Sequence, residues 1–164
     1  MTSPEPTCIL CRGRAGDAEL ARVEVWDDAQ WRLTMALEGE VAGFSYLEPK
    51  RHVPHLTDLD GEEAATFGPV LARVARDLKE ATSAELVYVY VFGGGIPHLH
   101  VHLAPHRSGD ALNDRMIRGE VVETRLPNGA TALVSQEFPS LPATLHAEVR
   151  ERLSRALRAQ SGPS

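Results

Sequence analysis

Residues 97–106 read Pro97-His98-Leu99-His100-Val101-His102-Leu103-Ala104-Pro105-His106 and hold four of the chain's seven histidines. Imidazole alternates with an aliphatic side chain, which is the period of a β-strand. The alternation predicts a strand over 99–103 with His98, His100 and His102 on one face, about 6–7 Å apart along it, and Leu99, Val101 and Leu103 turned to the core. Three unpaired imidazoles in register are a costly way to fill an interior, so the row points to chemistry. Upstream, the run from Leu86 to Phe92 is dense in β-branched and aromatic residues and predicts a buried strand, ended by Gly93-Gly94-Gly95. Such a backbone can approach a ligand closely and offer N–H groups to phosphate, although glycines at a strand end are more often simply a turn.

Working outward, Arg22 to Trp26 and Trp31 to Met35 both alternate and are joined by Asp27-Asp28-Ala29-Gln30, a predicted hairpin. Phe44 to Glu48 predicts a third strand, opened by Gly43 and stopped by Pro49, which has no N–H for a ladder. Thr57 with Asp60 supplies a helix start, and Ala64, Phe67, Leu71, Val74, Ala75 and Leu78 recur at helical spacing; Gly68-Pro69 predicts a kink or break inside it. Asp110 to Glu120 is open between helix and loop. Val121 to Thr124 and Thr131 to Val134, joined through Pro127-Asn128-Gly129, predict a second hairpin. Ala143 to Ala159 predicts an amphipathic helix with Leu145, Val149, Leu153 and Leu157 on one stripe. Strands followed by helices without strict alternation give an α+β class with an antiparallel sheet.

The chain's 164 residues suit one domain: a flexible lead-in over 1–7, a body over 8–159 with its histidine-bearing core at 8–107 and an extension at 108–159, and a tail over 160–164. Seventeen Lys and Arg against 23 Asp and Glu give a net charge of −6 with no block of like charge, which disfavours a duplex nucleic-acid binder. A small anionic substrate needs only local cations or backbone N–H groups, and Lys50, Arg51 and Arg107 flank the histidines. The first residues lack the basic and apolar regions of a signal peptide, and no apolar run reaches a membrane span, so the expectation is a soluble cytoplasmic protein with no membrane partner.

The two cysteines, Cys8 and Cys11, form a C-x-x-C pair too close together to staple a fold. A zinc half-site, a dithiol redox pair and two small buried residues are the readings, and the missing βαβ unit disfavours the second. A structural zinc needs two further ligands, with His52, His55 and the 98–102 cluster as candidates. His106 and His146 read as a solvent residue at a strand end and a helix-surface residue.

His98-Leu99-His100-Val101-His102-Leu103-Ala104 resembles, without a gap, the signature of the histidine triad family, in which three histidines alternate with apolar residues. The resemblance runs from Cys8-x-x-Cys11 through Pro49-Lys50-Arg51-His52 to Pro105, roughly the first two thirds of the chain. It implies a five-stranded antiparallel sheet with a central helix and a C-terminal helix, usually as a homodimer, that cleaves or transfers a nucleoside monophosphate. His100 would be the nucleophile that forms a nucleotidyl-histidine, His102 would hold the phosphate oxygens with Gly93, Gly94, Gly95 and Arg107, and Cys8, Cys11, His52 and His98 would bind a structural Zn²⁺. Two departures stand out. Relatives carry Gln, Ser or Thr where this chain has Gly94 and Gly95, and an Asp for the ribose hydroxyls where it has Ala36. A proton donor for the leaving group is then expected elsewhere, His106 among the candidates. The alternatives are an enzyme of the same fold with an open metal site and a non-nucleotide substrate, and a non-catalytic, zinc-stabilised dimer that binds nucleotides or protein.

Overall fold

Trp31, Leu33 and Met35 alternate with Arg32, Thr34 and Ala36 along β2 (Trp31–Ala36), yet all six are buried, because this strand is covered on both faces. The computed structural model describes residues 5–110, 121–125, 129, 131–135 and 139–160. β1 (Arg22–Asp27) and β3 (Ser45–Pro49) flank β2, β5 (Val101–His106) follows β3, and β4 (Leu86–Tyr90) closes the far edge, every pair antiparallel. The order β1-β2-β3-β5-β4 puts the histidine-bearing strand next to the centre.

On one face Leu33, Met35, Leu47, Val101 and Leu103 form a core with Val74 and Leu78 of α2 (Gly61–Thr82) and Val149, Leu153 and Leu157 of α3 (Ala143–Gln160). Each fully buried leucine contributes about 2 kcal/mol of transfer free energy, so this face dominates the stability. The other face is partly covered by a short helix, α1 (Arg14–Glu19), whose Asp17 pairs with Arg22 of β1 and Arg32 of β2, both of which also pair with Glu48 of β3. β6 (Val121–Arg125) and β7 (Thr131–Ser135) pair antiparallel as the second hairpin expected from the sequence, and α3 lies where the apolar stripe placed it. The α+β class with a five-stranded antiparallel sheet is as the sequence indicated.

Several boundaries differ from the sequence reading. β5 begins at Val101, two residues later than expected, because Pro49 opposite it has no N–H to extend the ladder, and the Leu99 N–H bonds instead to the Val53 carbonyl at 2.7 Å. The strand from Leu86 ends at Tyr90 rather than Phe92 and is an exposed edge, not a buried strand, since β5 is its only neighbour among the described residues. α2 starts after Asp60 rather than Thr57, which lies in a separate short 3₁₀ turn over Leu56–Asp58, and it continues through Pro69 as one helix. Neither His106 nor His146 is a surface residue. His106 is only 7% exposed because β5 runs on to include it, and His146 is 1% exposed because α3 lays it over the loop between β2 and β3. Residues 1–4 of the expected lead-in (1–7), the segment 111–120, the turn residues Pro127 and Asn128 and residues 161–164 of the expected tail (160–164) lie outside the described residues.

Candidate metal centre and histidine site

Cys8 and Cys11 bracket a tight turn, in which the Cys11 N–H donates to the Cys8 carbonyl at 3.2 Å and a 3₁₀ turn over Leu10–Arg12 follows. α1 packs against this turn so closely that a Cβ on Gly16 would fall inside contact distance of the Ile9 carbonyl oxygen; only glycine lets the two approach. The turn thereby sets both sulfurs against His98 and His52. Cys8 Sγ lies 3.4 Å from His98 Nδ1, Cys11 Sγ lies 3.4 Å from the same nitrogen, and Cys11 Sγ lies 3.3 Å from His52 Nδ1. One donor atom from each of the four residues falls within 4.8 Å of the others.

These separations suit zinc. Zn–S bonds of about 2.3 Å and Zn–N bonds of about 2.0–2.1 Å at tetrahedral angles put sulfur and nitrogen about 3.5 Å apart. The tautomer agrees with the distances: the His98 Nε2–H donates to the Pro49 carbonyl at 3.0 Å, so Nδ1 carries the lone pair. Burial holds the His98 pKa below the ordinary histidine range, which keeps that lone pair free of a proton. Burial is also the leading reason that the Cys11 thiol is pushed up to about 11 in the metal-free protein. Of the upstream histidines, His52 joins the cluster and His55 does not.

The row of histidines divides at Leu99. His98 is 1% exposed and turns to the sulfurs, whereas the rings of His100 and His102 stand together with centroids 5.0 Å apart. The row is therefore not one face of a strand, since only His102 lies within β5. The His100 Nδ1–H donates to the His98 carbonyl at 2.6 Å, which leaves Nε2 with the lone pair. The His102 Nδ1–H donates to the Tyr90 carbonyl at 3.3 Å. Its ring stacks on Tyr90 at 4.9 Å and meets Phe44, Tyr46 and Phe92 at 6.0, 5.3 and 5.5 Å. These aromatic neighbours were not singled out from the sequence, where they read as ordinary strand residues.

Gly93 takes a left-handed φ of +71°, which turns the chain at the end of β4, and a Cβ on Gly94 or Gly95 would meet nothing within 4 Å. The triple glycine is thus an open loop beside the His102 surroundings. Ala36 is 9% exposed and packs with Val41, Phe44 and Ala104 in a small apolar cluster. Arg107 is not brought to the triad. It stands exposed past the end of β5, five residues and about 16 Å along the chain from His102, with its N–H bonded to Asp110. His106 is equally remote: it stacks on Tyr88 at 5.1 Å and donates through Nδ1 to Asp110 at 2.8 Å, so it does not supply a proton beside His100.

A group that the sequence hid supports both clusters. Asp17, Arg22, Arg32 and Glu48 close a ring of ion pairs at 2.5–3.0 Å, every member nearly inaccessible. Burial works against the Arg32 charge, but Glu48 and Asp17 outweigh it and raise its pKa above the ordinary arginine value. Asp17 ties α1, and with it the Cys8–Cys11 turn, to the sheet, while Glu48 immediately precedes the Pro49 carbonyl that holds His98.

Comparison with known proteins agrees with this geometry. The chain is 27% identical over 111 residues to an uncharacterized HIT-like protein of Mycobacterium tuberculosis, covering 65% of this chain and 76% of that one. Its fold matches a zinc-bound histidine triad family protein from Mycobacterium smegmatis (TM-score 0.63, 21% identity, 94% of this chain and 96% of that one). It also matches a hypothetical histidine triad nucleotide-binding protein from Sulfolobus tokodaii (TM-score 0.65, 17% identity, 94% of each). A sequence model of the HIT domain matches residues 19–109, more than half of the chain, and the protein belongs to the HIT domain family.

Proposed function

We propose that the protein is a nucleotidyl hydrolase or transferase, acting on a nucleoside monophosphate joined to a leaving group. The observation that carries this reading is the 2.6 Å bond from His100 Nδ1–H to the His98 carbonyl. A neutral imidazole is a nucleophile only through its unprotonated nitrogen, and the main-chain carbonyl fixes which nitrogen that is. His100 Nε2 forms a bond to phosphorus as the bond from phosphorus to the leaving group breaks. The departing atom takes the electron pair and needs a proton. Water then attacks phosphorus, the N–P bond breaks, and neutral His100 returns as the water's proton passes to solvent.

His102, with its ring beside His100 and its Nδ1–H bonded to the Tyr90 carbonyl, binds the phosphate oxygens as the imidazolium, donating Nε2–H to them. The N–H groups of Gly93, Gly94 and Gly95 are the second source of phosphate binding, and the space a side chain would fill at Gly94 and Gly95 is open. Arg107 drops out of this assignment on distance. Cys8, Cys11, His52 and His98 would hold zinc through four protein donors, and the metal would supply a fixed anchor for His98. His98 in turn holds His100 through its carbonyl. The residues that bind metal are thus one hydrogen bond from the nucleophile.

The exposed edge of β4, with Leu86 53% and Val89 43% exposed, supports a homodimer in which a second copy covers it. Sedimentation velocity at micromolar concentration tests this, and a monomer throughout the range overturns it. Among the described residues no helix is long and apolar enough to cross a membrane. Cys8 and Cys11 stand reduced, with no disulfide between them, which suits the reducing cytoplasm.

The test is release of nucleoside monophosphate from phosphoramidates, dinucleoside polyphosphates and nucleotide sugars by the wild type and His100→Ala. The expected outcome is turnover that falls at least about a thousand-fold in the variant, with a phosphorus-labelled histidine adduct trapped in the wild type. Equal turnover in both proteins overturns the reading.

A further inference from the structure

We propose that the cavity between the 54–57 segment and the glycine loop is the leaving-group subsite, that it takes an apolar amine or alcohol, and that His55 protonates the departing atom. This rests on the nucleotidyl-transfer reading above. The cavity has a volume of about 350 Å³ and is walled by Leu56, Val91, Phe92 and Leu99, with His55 and Gly93 at its edge. Its lining is mostly apolar carbon, and Leu56 and Phe92 remain 46% and 56% exposed, so apolar surface stands ready to be covered.

Three observations connect this cavity to the reacting phosphorus. Phe92 forms its wall and meets the His102 ring at 5.5 Å, so the cavity adjoins the phosphate-binding group. Leu99, also in its wall, is the residue directly before His100. The imidazole of His55 lies against the loop, its Nδ1 3.7 Å from where a Cβ on Gly93 would stand. An in-line displacement puts the leaving group across phosphorus from the nucleophile, beside the loop that binds its oxygens.

The chemistry needs such a group. Gly94 and Gly95 have no hydroxyl or amide side chain to give a proton, His106 is held at the far end of β5, and His98 and His52 are turned to the sulfurs. With His100 the nucleophile and His102 holding the phosphate oxygens, His55 is the further imidazole beside the loop. As the P–N or P–O bond breaks, the electron pair goes to the departing nitrogen or oxygen. His55, entering as the imidazolium, transfers its proton there and leaves neutral; a proton from solvent restores it. The apolar walls hold the carbon chain of the amine or alcohol in place for that transfer.

The experiment compares two adenosine monophosphate derivatives, the butylamine phosphoramidate and the p-nitrophenyl phosphodiester. The amine leaves only when protonated, whereas p-nitrophenolate leaves as the anion. His55→Gln should lower kcat/KM for the butylamine derivative about 100-fold more than for the p-nitrophenyl ester, in the range of general acid catalysis. Phe92→Ala should raise KM severalfold for the butylamine derivative relative to the unsubstituted phosphoramidate. Equal penalties on both leaving groups in His55→Gln, at an unchanged melting temperature, would overturn the proposal. Failure of the underlying reading looks different: His100→Ala would keep its turnover of the p-nitrophenyl ester, or the wild type would turn over neither compound.

Discussion

His146 and Gly39 stand 107 positions apart in the chain, and the His146 Nε2–H donates to the Gly39 carbonyl at 3.1 Å. The same carbonyl accepts from the Leu141 N–H at 2.8 Å, and the Gly39 N–H donates to Ser140 Oγ at 2.8 Å. The start of α3 therefore grips the loop between β2 and β3, which leads directly into Phe44 and the rings around His102.

Removing that grip should loosen the loop before it unfolds the protein. His146→Ala loses the bond and leaves a cavity, at a cost of about 2–3 kcal/mol. Amide exchange over 37–43 should accelerate more than exchange in β2 and β3. Uniform acceleration would show that His146 acts only on global stability.

Zinc should be part of the fold. Cys8→Ser, or removal of metal by a chelator, should lower the melting temperature by about 10 °C, the shift about 3 kcal/mol produces at this size. Elemental analysis of the purified protein should give one zinc per chain. An unchanged melting curve in Cys8→Ser would contradict the assignment.

The chelated protein should lose stability as pH rises from about 9 to about 11. Burial pushes the Cys11 thiol up from 9.0 to about 11, so in that window the folded chain keeps a proton that the unfolded chain has released. Stability falls wherever the native state binds more protons. With zinc bound both sulfurs are thiolates and this loss should vanish, which urea unfolding at two pH values with and without chelator would show.

Breaking the buried ion ring should cost more than a surface pair does. Glu48→Gln leaves Arg22 and Arg32 sharing Asp17, with Glu24 reaching only Arg32 at 3.5 Å, at a cost of about 3–5 kcal/mol. Urea unfolding measures it, and a loss below about 1 kcal/mol would mean that water reaches the site.

His106→Ala should keep turnover within about twofold, because its ring is tied to Asp110 and Tyr88 rather than to the His100 neighbourhood. A large loss of activity with normal folding would restore it as a candidate acid.

The short motifs foretold much of this arrangement. Cys8, Cys11, His52 and His98 meet as the resemblance implied, and the strand and helix order follows the apolar periodicity. What the chain concealed depends on pairing across distance. The alternation Arg22-Val23-Glu24 and Arg32-Leu33-Thr34 reads as one wet face and one dry face, yet α1 covers the polar side. A ladder ends where Pro49 lacks a donor on the opposite strand, so periodicity alone placed the start of β5 too early. His106 and His146 look alike in sequence to solvent residues, and only their distant partners bury them.

The ion ring has a consequence for how this chain can change over time. Positions 17, 22, 32 and 48 share two positive and two negative charges with little water to absorb a mismatch. Each single replacement strands a neighbour, while a concerted exchange for apolar side chains of like volume can be neutral. The four positions are thus energetically coupled, so a change at one is best tolerated when its partners change with it. The Cys8–Cys11 turn, packed against α1, shares the fate of that group.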